Sequence, residues 1–265
     1  MAAFWISFWP SDGSARARIP AVFPQPKSGS ALLLCYVGDR SLFAAAPARK
    51  ILLKKIAAAA AAGVDWIQIR EKDLSGKESS TLTREALKLA RNADDAAGAG
   101  ESTGSPRALA CSPGKAAHAR ILVNDRLDVA LAAHAGGVHL GEQSLPPEAA
   151  LRLRQGLEQE DFLIGVSCHS PKAAKQAERG GADYLFFGPV FATPSKAAYG
   201  APQGLDRLRE VCQAVTLPVV AIGGITPDNA SACLSAGASG IAAIRLFQDA
   251  RDLPAVVKAL KEISR

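Results

Sequence analysis

Five short stretches of this chain end an apolar run with polar or charged groups. They are Gln68-Ile69-Arg70-Glu71-Lys72, Val123-Asn124-Asp125-Arg126, Gly137-Val138-His139-Leu140-Gly141, Gly188-Pro189-Val190-Phe191-Ala192-Thr193-Pro194-Ser195-Lys196 and Ala221-Ile222-Gly223-Gly224-Ile225-Thr226. Arg70 offers a planar fork for phosphate oxygens and Lys72 a point charge. An Arg-x-Lys pair alone reads better as the solvated end of a strand. Asn124 and Asp125 supply an amide and a carboxylate, which suit a hydrated divalent cation that shares its shell with phosphate oxygens. Capping of the helix that begins near Arg126 is an equal reading of Asp125.

Ser167-Cys168-His169-Ser170 closes another apolar run, and His169 there suits a general base, a helix cap or a loop-orienting residue. Thr193, Ser195 and Lys196 form a hydroxyl and ammonium clamp for phosphate. Gly223-Gly224 and Ile244-Arg245 expose backbone amides of the kind that cradle phosphate. His139 sits inside an apolar run and is read as structural. Two anion sites result, one cation-assisted and one built from backbone amides. They imply two anionic substrates, or one with two phosphates.

Such groups work together only if their strands end on one side of a sheet. Apolar runs of four to six residues suit parallel strands buried on both faces. Strands are predicted at Leu32–Val37, Asp65–Arg70, Arg120–Val123, Val138–Leu140, Phe162–Val166, Tyr184–Phe187, Val219–Ile222 and Gly240–Ile244, with helices at Lys50–Ala62 and Lys77–Arg91 and after the later strands. Period-two geometry would point Gln68, Arg70 and Lys72 to one side. Gly63, Ala133-His134-Ala135-Gly136, Arg179-Gly180-Gly181-Ala182 and Ser235-Ala236-Gly237-Ala238 read as recurring helix-to-strand joints, with glycine in the left-handed conformation. Eight strand-helix units give an α/β fold, a single (β/α)8 TIM barrel, with polar groups on the C-terminal face of the sheet. A doubly wound sheet is disfavoured because no Gly-x-Gly-x-x-Gly follows the first strand.

With 265 residues and 48% hydrophobic content, the chain suffices for one such barrel. The net charge of +6 is spread without a basic run or interleaved aromatics, which argues against nucleic acid as a partner. Five cysteines in no paired spacing fit reduced thiols and a cytoplasmic location. The apolar start, Met1 to Trp9, is too short to span a bilayer, so no membrane contact is expected. Residues 1–30 are expected to be a poorly ordered extension and 31–265 the barrel domain, interrupted by a flexible Ala, Gly, Ser and Pro-rich insertion at about 92–117.

In this order and spacing, Gln68-Ile69-Arg70-Glu71-Lys72, Val123-Asn124-Asp125-Arg126, His139-Leu140-Gly141 and Gly188-Pro189-Val190-Phe191 with Thr193 and Lys196 resemble the thiamine phosphate synthase and thiazole tautomerase family. The resemblance runs from about Leu34 to the C-terminus and leaves out the insertion. It implies a transferase that joins hydroxymethylpyrimidine diphosphate to thiazole phosphate and releases pyrophosphate, with Mg²⁺ as cofactor. On that resemblance Gln68, Ile69, Arg70, Glu71, Lys72, Asn124 and Lys196 hold the pyrimidine diphosphate, and Ser167 contacts the pyrimidine. Thr193, Pro194, Ser195, Gly224, Ile244 and Arg245 hold the thiazole phosphate. Arg70, Lys72, Ser167, Lys196 and His169 carry the catalysis. Asp125 and Ser144 lie at the metal position, where Ser144 replaces a usual acidic residue; Arg245 likewise replaces a serine. Members of the family often self-associate. The tautomerase branch, with His169 moving the proton, and a non-catalytic phosphate-ligand-binding barrel are the competing readings.

Overall fold

The structure is a computed structural model that describes residues 32–43, 47–97, 118–156, 161–193 and 201–263. The expected N-terminal extension lies outside these residues, as does most of the expected insertion. Eight parallel strands close into a barrel in chain order: β1 Leu33–Gly38, β2 Trp66–Ile69, β3 Arg120–Asn124, β4 Gly137–Leu140, β5 Leu163–Cys168, β6 Tyr184–Phe187, β7 Val219–Ile222 and β8 Gly240–Ala243. The helices are α1 Ala48–Ala61, α2 Gly76–Ala97, α3 Leu127–Ala132, α4 Pro147–Gln155, α5 Pro171–Arg179, α6 Gly204–Ala214, α7 Pro227–Ser235, α8 Arg245–Gln248 and α9 Leu253–Glu262. α2 continues through Ala97, so the first residues of the expected insertion are helical. β2 stops at Ile69, so strand alternation does not carry on to Lys72.

Closure is set by β1, where Cys35 is in register with Trp66 of β2 on one side and Ala242 of β8 on the other. Outward-facing residues such as Leu34, Ile67, Ile69, Ile121, Leu185 and Ile241 pack against the helices in the main core. Inward-facing Cys35, Val37, Trp66, Leu122, Leu163, Tyr184, Phe186, Val220 and Ala242 fill the interior. Period-two alternation of strands buried on both faces therefore accounts for both layers.

At the N-terminal end of the sheet two aspartates tie neighbouring strands together. Asp65 Oδ2 accepts the Leu34 N–H at 2.8 Å, and Asp183 Oδ2 accepts the Ile164 N–H at 2.7 Å. In return the Asp65 and Asp183 amides donate to the Leu34 and Ile164 carbonyls. Burial pushes both carboxyls up, which these hydrogen bonds oppose, together with Arg154 at Asp183.

Gly63 and Gly237 hold the left-handed backbone expected at their joints, with φ of +85° and +102°. The α3–β4 joint differs: His134 takes that conformation (φ +55°) in place of Gly136. Gly136 answers a different need, since a Cβ there would lie 2.5 Å from Cγ of Arg120.

The centre of the interior is aromatic and polar. The His139 ring stacks near Phe186 at a centroid distance of 4.2 Å. Its Nδ1 lies 3.2 Å from the Tyr184 hydroxyl and its Nε2 2.9 Å from Ser167 Oγ. Burial pushes the His139 pKa down to about 3, only partly opposed by Asp125, so the ring is neutral near pH 7. Gly165 makes this packing feasible, because a Cβ there would sit 2.0 Å from Cζ of Tyr184.

Gly165→Ala is therefore expected to cost about 1–3 kcal/mol or more in stability, measured by urea unfolding; an unchanged midpoint would show that Tyr184 moves freely. A second outcome concerns pH. The unfolded His139 binds a proton below about 6.5 and the folded one does not, so stability is complete above 6.5 and is lost as pH falls toward 3. Between pH 7 and pH 5 this amounts to about 2 kcal/mol. His139→Gln is expected to flatten that part of the profile, and parallel profiles for the two proteins would rule the effect out.

Candidate active site

The described residues picked out by sequence sit at the C-terminal ends of strands or just after them, where a barrel of this fold opens to ligands. Asp125 organises the first group. It follows β3 with a left-handed backbone (φ +60°), and its amide donates to the His139 carbonyl at 2.9 Å. Its side chain does not cap α3, whose N-cap is Arg126. Instead Oδ2 accepts from Asn124 Nδ2 at 2.6 Å, while Oδ1 accepts the Gly141 N–H at 3.1 Å and the Ser144 hydroxyl. Gly141 also donates to Ser144 Oγ at 2.6 Å, which fastens the β4–α4 loop beneath the carboxylate.

A carboxylate can only accept, and that decides the neighbouring amides. Asn124 must turn Nδ2 toward Asp125, so its Oδ1 faces Gln68 and receives Nε2 at 2.8 Å. Among the described residues Gln68 Oε1 is then left buried without a partner, in a residue only 2% exposed. An unpaired buried acceptor of this kind costs about 1–3 kcal/mol. It is the sort of atom that a ligand N–H satisfies.

The remaining β2 residues diverge. Ile69 packs outward among the helices, so its side chain is turned away from the site. Arg70 Nη1 donates to Asp39 Oδ2 at 2.7 Å, and the Arg70 amide donates to the Gly38 carbonyl at 3.0 Å. Glu71 turns to Arg40, accepting from its amide at 2.9 Å and pairing with its guanidinium at 3.0 Å. Burial pushes the Glu71 carboxyl up to about 7, with Arg40 opposing and Asp39 and Asp73 adding to the rise. Lys72 is exposed.

Ser167 lies at the end of β5, between His139 and the mouth. His169 Nδ1 is 2.5 Å from the Gly188 carbonyl. A carbonyl only accepts, so Nδ1 carries the proton and, in the neutral ring, Nε2 is an acceptor. Ser170, not His169, caps α5.

On the opposite side the loops after β6 and β7 lie on one another. Val190 donates to the Ile222 carbonyl at 2.9 Å and Phe191 to Gly223 at 3.0 Å. Any side chain at Gly188 would strike the Ile222 carbonyl at 2.1 Å, and one at Gly224 (φ +65°) the Ala192 carbonyl at 2.5 Å. Asn229 fixes this turn, donating to the Gly224 carbonyl at 3.0 Å and accepting the Thr226 N–H at 2.9 Å. Ile244 is the N-cap of α8, and Arg245 is exposed, 3.8 Å from Asp249. Thr193 is half-buried beside these loops. Pro194, Ser195 and Lys196 lie outside the described residues.

Two residues of the site escaped the sequence. Asp39 stands directly after the apolar run of β1, which is the pattern that marked the other strands. Gln248 carries no such signal, yet it is 3% exposed and bonds to both backbone groups of Asp39.

Among the described residues no three His, Cys, Asp or Glu side chains gather as a metal cage. The oxygens of Asp125 and Ser144 do adjoin at the open end of the barrel, one anionic and one neutral. That set is too small to enclose a cation but fits one that keeps its waters and takes phosphate oxygens.

Comparison with known proteins places the whole barrel in a family. The family described as thiamine monophosphate synthase matches residues 109–247. A thiamine-phosphate synthase of Moorella thermoacetica is 39% identical over 211 residues, which is 80% of this chain and 87% of that protein. One from Coprothermobacter proteolyticus is 49% identical over 142 residues, 54% of this chain and 65% of that protein. The solved thiamine phosphate pyrophosphorylase of Pyrococcus furiosus superposes with a TM-score of 0.68 at 32% identity, covering 88% of this chain and 95% of that one. The chain therefore belongs to the thiamine monophosphate synthase family.

Proposed function

We infer that this chain is a thiamine phosphate synthase, a transferase that joins 4-amino-2-methyl-5-hydroxymethylpyrimidine diphosphate to thiazole phosphate and releases pyrophosphate. The observation that carries the reading is the Asp125 relay, which aligns Ser144, Asn124 and Gln68 and ends on the unpartnered Gln68 Oε1. An aminopyrimidine brings the N–H that this acceptor lacks, and its diphosphate brings oxygens that would complete the shell of a cation held at Asp125.

The reaction breaks the bond between the pyrimidine methylene and the diphosphate oxygen, and then forms one between that methylene and the thiazole nitrogen. Electron donation from the amino group favours departure of the diphosphate first, which leaves a cation that the thiazole lone pair captures. Gln68 and Ser167 orient the pyrimidine, and the neutral His139 beneath keeps Ser167 in place. Arg70 and Lys72 stabilise the charge that grows on the leaving group, Arg70 as a cation already held in place by Asp39. Lys196 joins them on the strength of the sequence. Thr193, Ser195, the Gly224 turn and Ile244-Arg245 hold the thiazole phosphate. A Mg²⁺ held by Asp125, with Ser144 beside it, would neutralise part of the diphosphate charge. No tautomerase step is needed to account for these groups, and a bare binding module has little use for a leaving-group site.

Purified protein with both substrates and Mg²⁺ is expected to form thiamine phosphate, read as fluorescent thiochrome, and to form little without Mg²⁺. Asp125→Ala should cut kcat/KM at limiting Mg²⁺ by at least about tenfold, equivalent to about 1.4 kcal/mol; full activity would remove Asp125 from the metal role. Gln68→Met should raise the KM for the pyrimidine substrate by about tenfold, while stability changes by less than about 1 kcal/mol because removal of the unpaired buried oxygen offsets loss of the Nε2 bond to Asn124 Oδ1. A loss of stability without a change in KM would count against an orienting role for Gln68.

A further inference from the structure

Asp39 is more completely immobilised than its place after β1 requires. Its Oδ1 accepts from the Ser41 amide at 3.1 Å and the Ser41 hydroxyl at 2.5 Å, and its Oδ2 accepts from Arg70 Nη1 at 2.7 Å. Its backbone is held as firmly: the amide donates to Gln248 Oε1 at 3.3 Å, and the carbonyl accepts from Gln248 Nε2 at 2.9 Å. Gln248 is itself buried on α8, and Tyr36 donates its hydroxyl to the same Oε1 at 3.2 Å. Both carboxylate oxygens and both backbone groups of Asp39 thus have fixed partners. With its own geometry set, the carboxylate has one remaining task, which is to aim a guanidinium.

We propose that Asp39 is a positioning residue for Arg70, held in register by Gln248, and that this pairing presents the rest of the Arg70 fork to the diphosphate. The proposal rests on the reading of Arg70 as a diphosphate ligand. An arginine side chain has many rotamers, and freezing one before the ligand arrives removes that entropy from the cost of binding. Only Nη1 is engaged by Asp39, so among the described residues the other guanidinium nitrogens stay open to phosphate oxygens. The same contact could act in the opposite sense, because a carboxylate beside a diphosphate repels it. The two effects predict opposite signs, which makes the role decidable. Gln248 lies one helical turn beyond Arg245 on α8, so the tether also joins the leaving-group side of the mouth to the helix that faces the second substrate.

The variant Asp39→Asn keeps an oxygen for the Ser41 cap and both backbone bonds to Gln248, and removes the charge that faces Arg70. Binding of inorganic pyrophosphate with Mg²⁺ is measured by calorimetry, with melting temperature recorded alongside. Positioning predicts about tenfold weaker pyrophosphate binding in Asp39→Asn, an unchanged KM for thiazole phosphate, and no further weakening when Asp39→Asn is added to Arg70→Ala. Gln248→Leu should weaken pyrophosphate binding in the same direction. Equal or tighter binding in Asp39→Asn overturns the proposal and makes Asp39 a competitor for the arginine. Equal weakening in the Arg70→Ala background also overturns it, since the effect would not pass through Arg70. A wild-type protein that binds no pyrophosphate overturns the diphosphate reading itself, whereas one that binds it while Asp39→Asn is unaffected overturns the positioning role alone.

Discussion

A closed parallel sheet leaves each strand with no exposed edge and puts all of its C-terminal ends on one rim. The pairing of β1 with β8 completes that rim here, and the rest of the molecule follows from it. Side chains 56 residues apart in sequence, Gln68 and Asn124, become neighbours because β2 and β3 are adjacent strands in register. Gln248 reaches Asp39 across 209 residues for the same reason, α8 being the continuation of β8 beside β1. Without closure these would be unrelated polar groups on separate helices and strands.

On this rim direction matters more than proximity. Asp125 cannot donate, and that one chemical fact orients two amides and a hydroxyl in turn. The outcome is a row whose far end is an acceptor inside the barrel and whose near end is an anion at the surface. A charged group at the mouth thus decides the hydrogen-bonding character of a buried position. At the other end of the strands, the clasps formed by Asp65 and Asp183 keep pairs of strands in register. The carboxylates of the N-terminal end hold strand to strand, whereas Asp125 at the C-terminal end holds the side chains of the open rim.

Much of the barrel was legible because strands buried on both faces must be apolar throughout. β6 and β7 have the limits read from sequence, and the other strands differ by one or two residues at one or both ends. The joints were legible where glycine marks them, but not at His134, which adopts a left-handed backbone with a side chain on it. Proximity in sequence misled at Gln68, Arg70 and Lys72: the strand ends at Ile69, and Arg70 is held by a residue 31 positions earlier. The reason for Gly165 was invisible, since it depends on where the Tyr184 ring lies. Patterns of residue type report periodic burial well; they do not report which side chain, far away in the chain, occupies the space.

On the proposed reaction, the packed interior bears on the fate of the short-lived cation. Tyr184 and Phe186 are almost fully buried, and with Trp66 and His139 they fill the barrel directly under Ser167. On the proposed reaction, a species held above that floor would be shielded from below, and the second substrate would come from the open mouth. Once that substrate covers the mouth, partition between alkylation and hydrolysis turns on occupancy at the rim, and the aromatic floor acts as a guard of chemical yield.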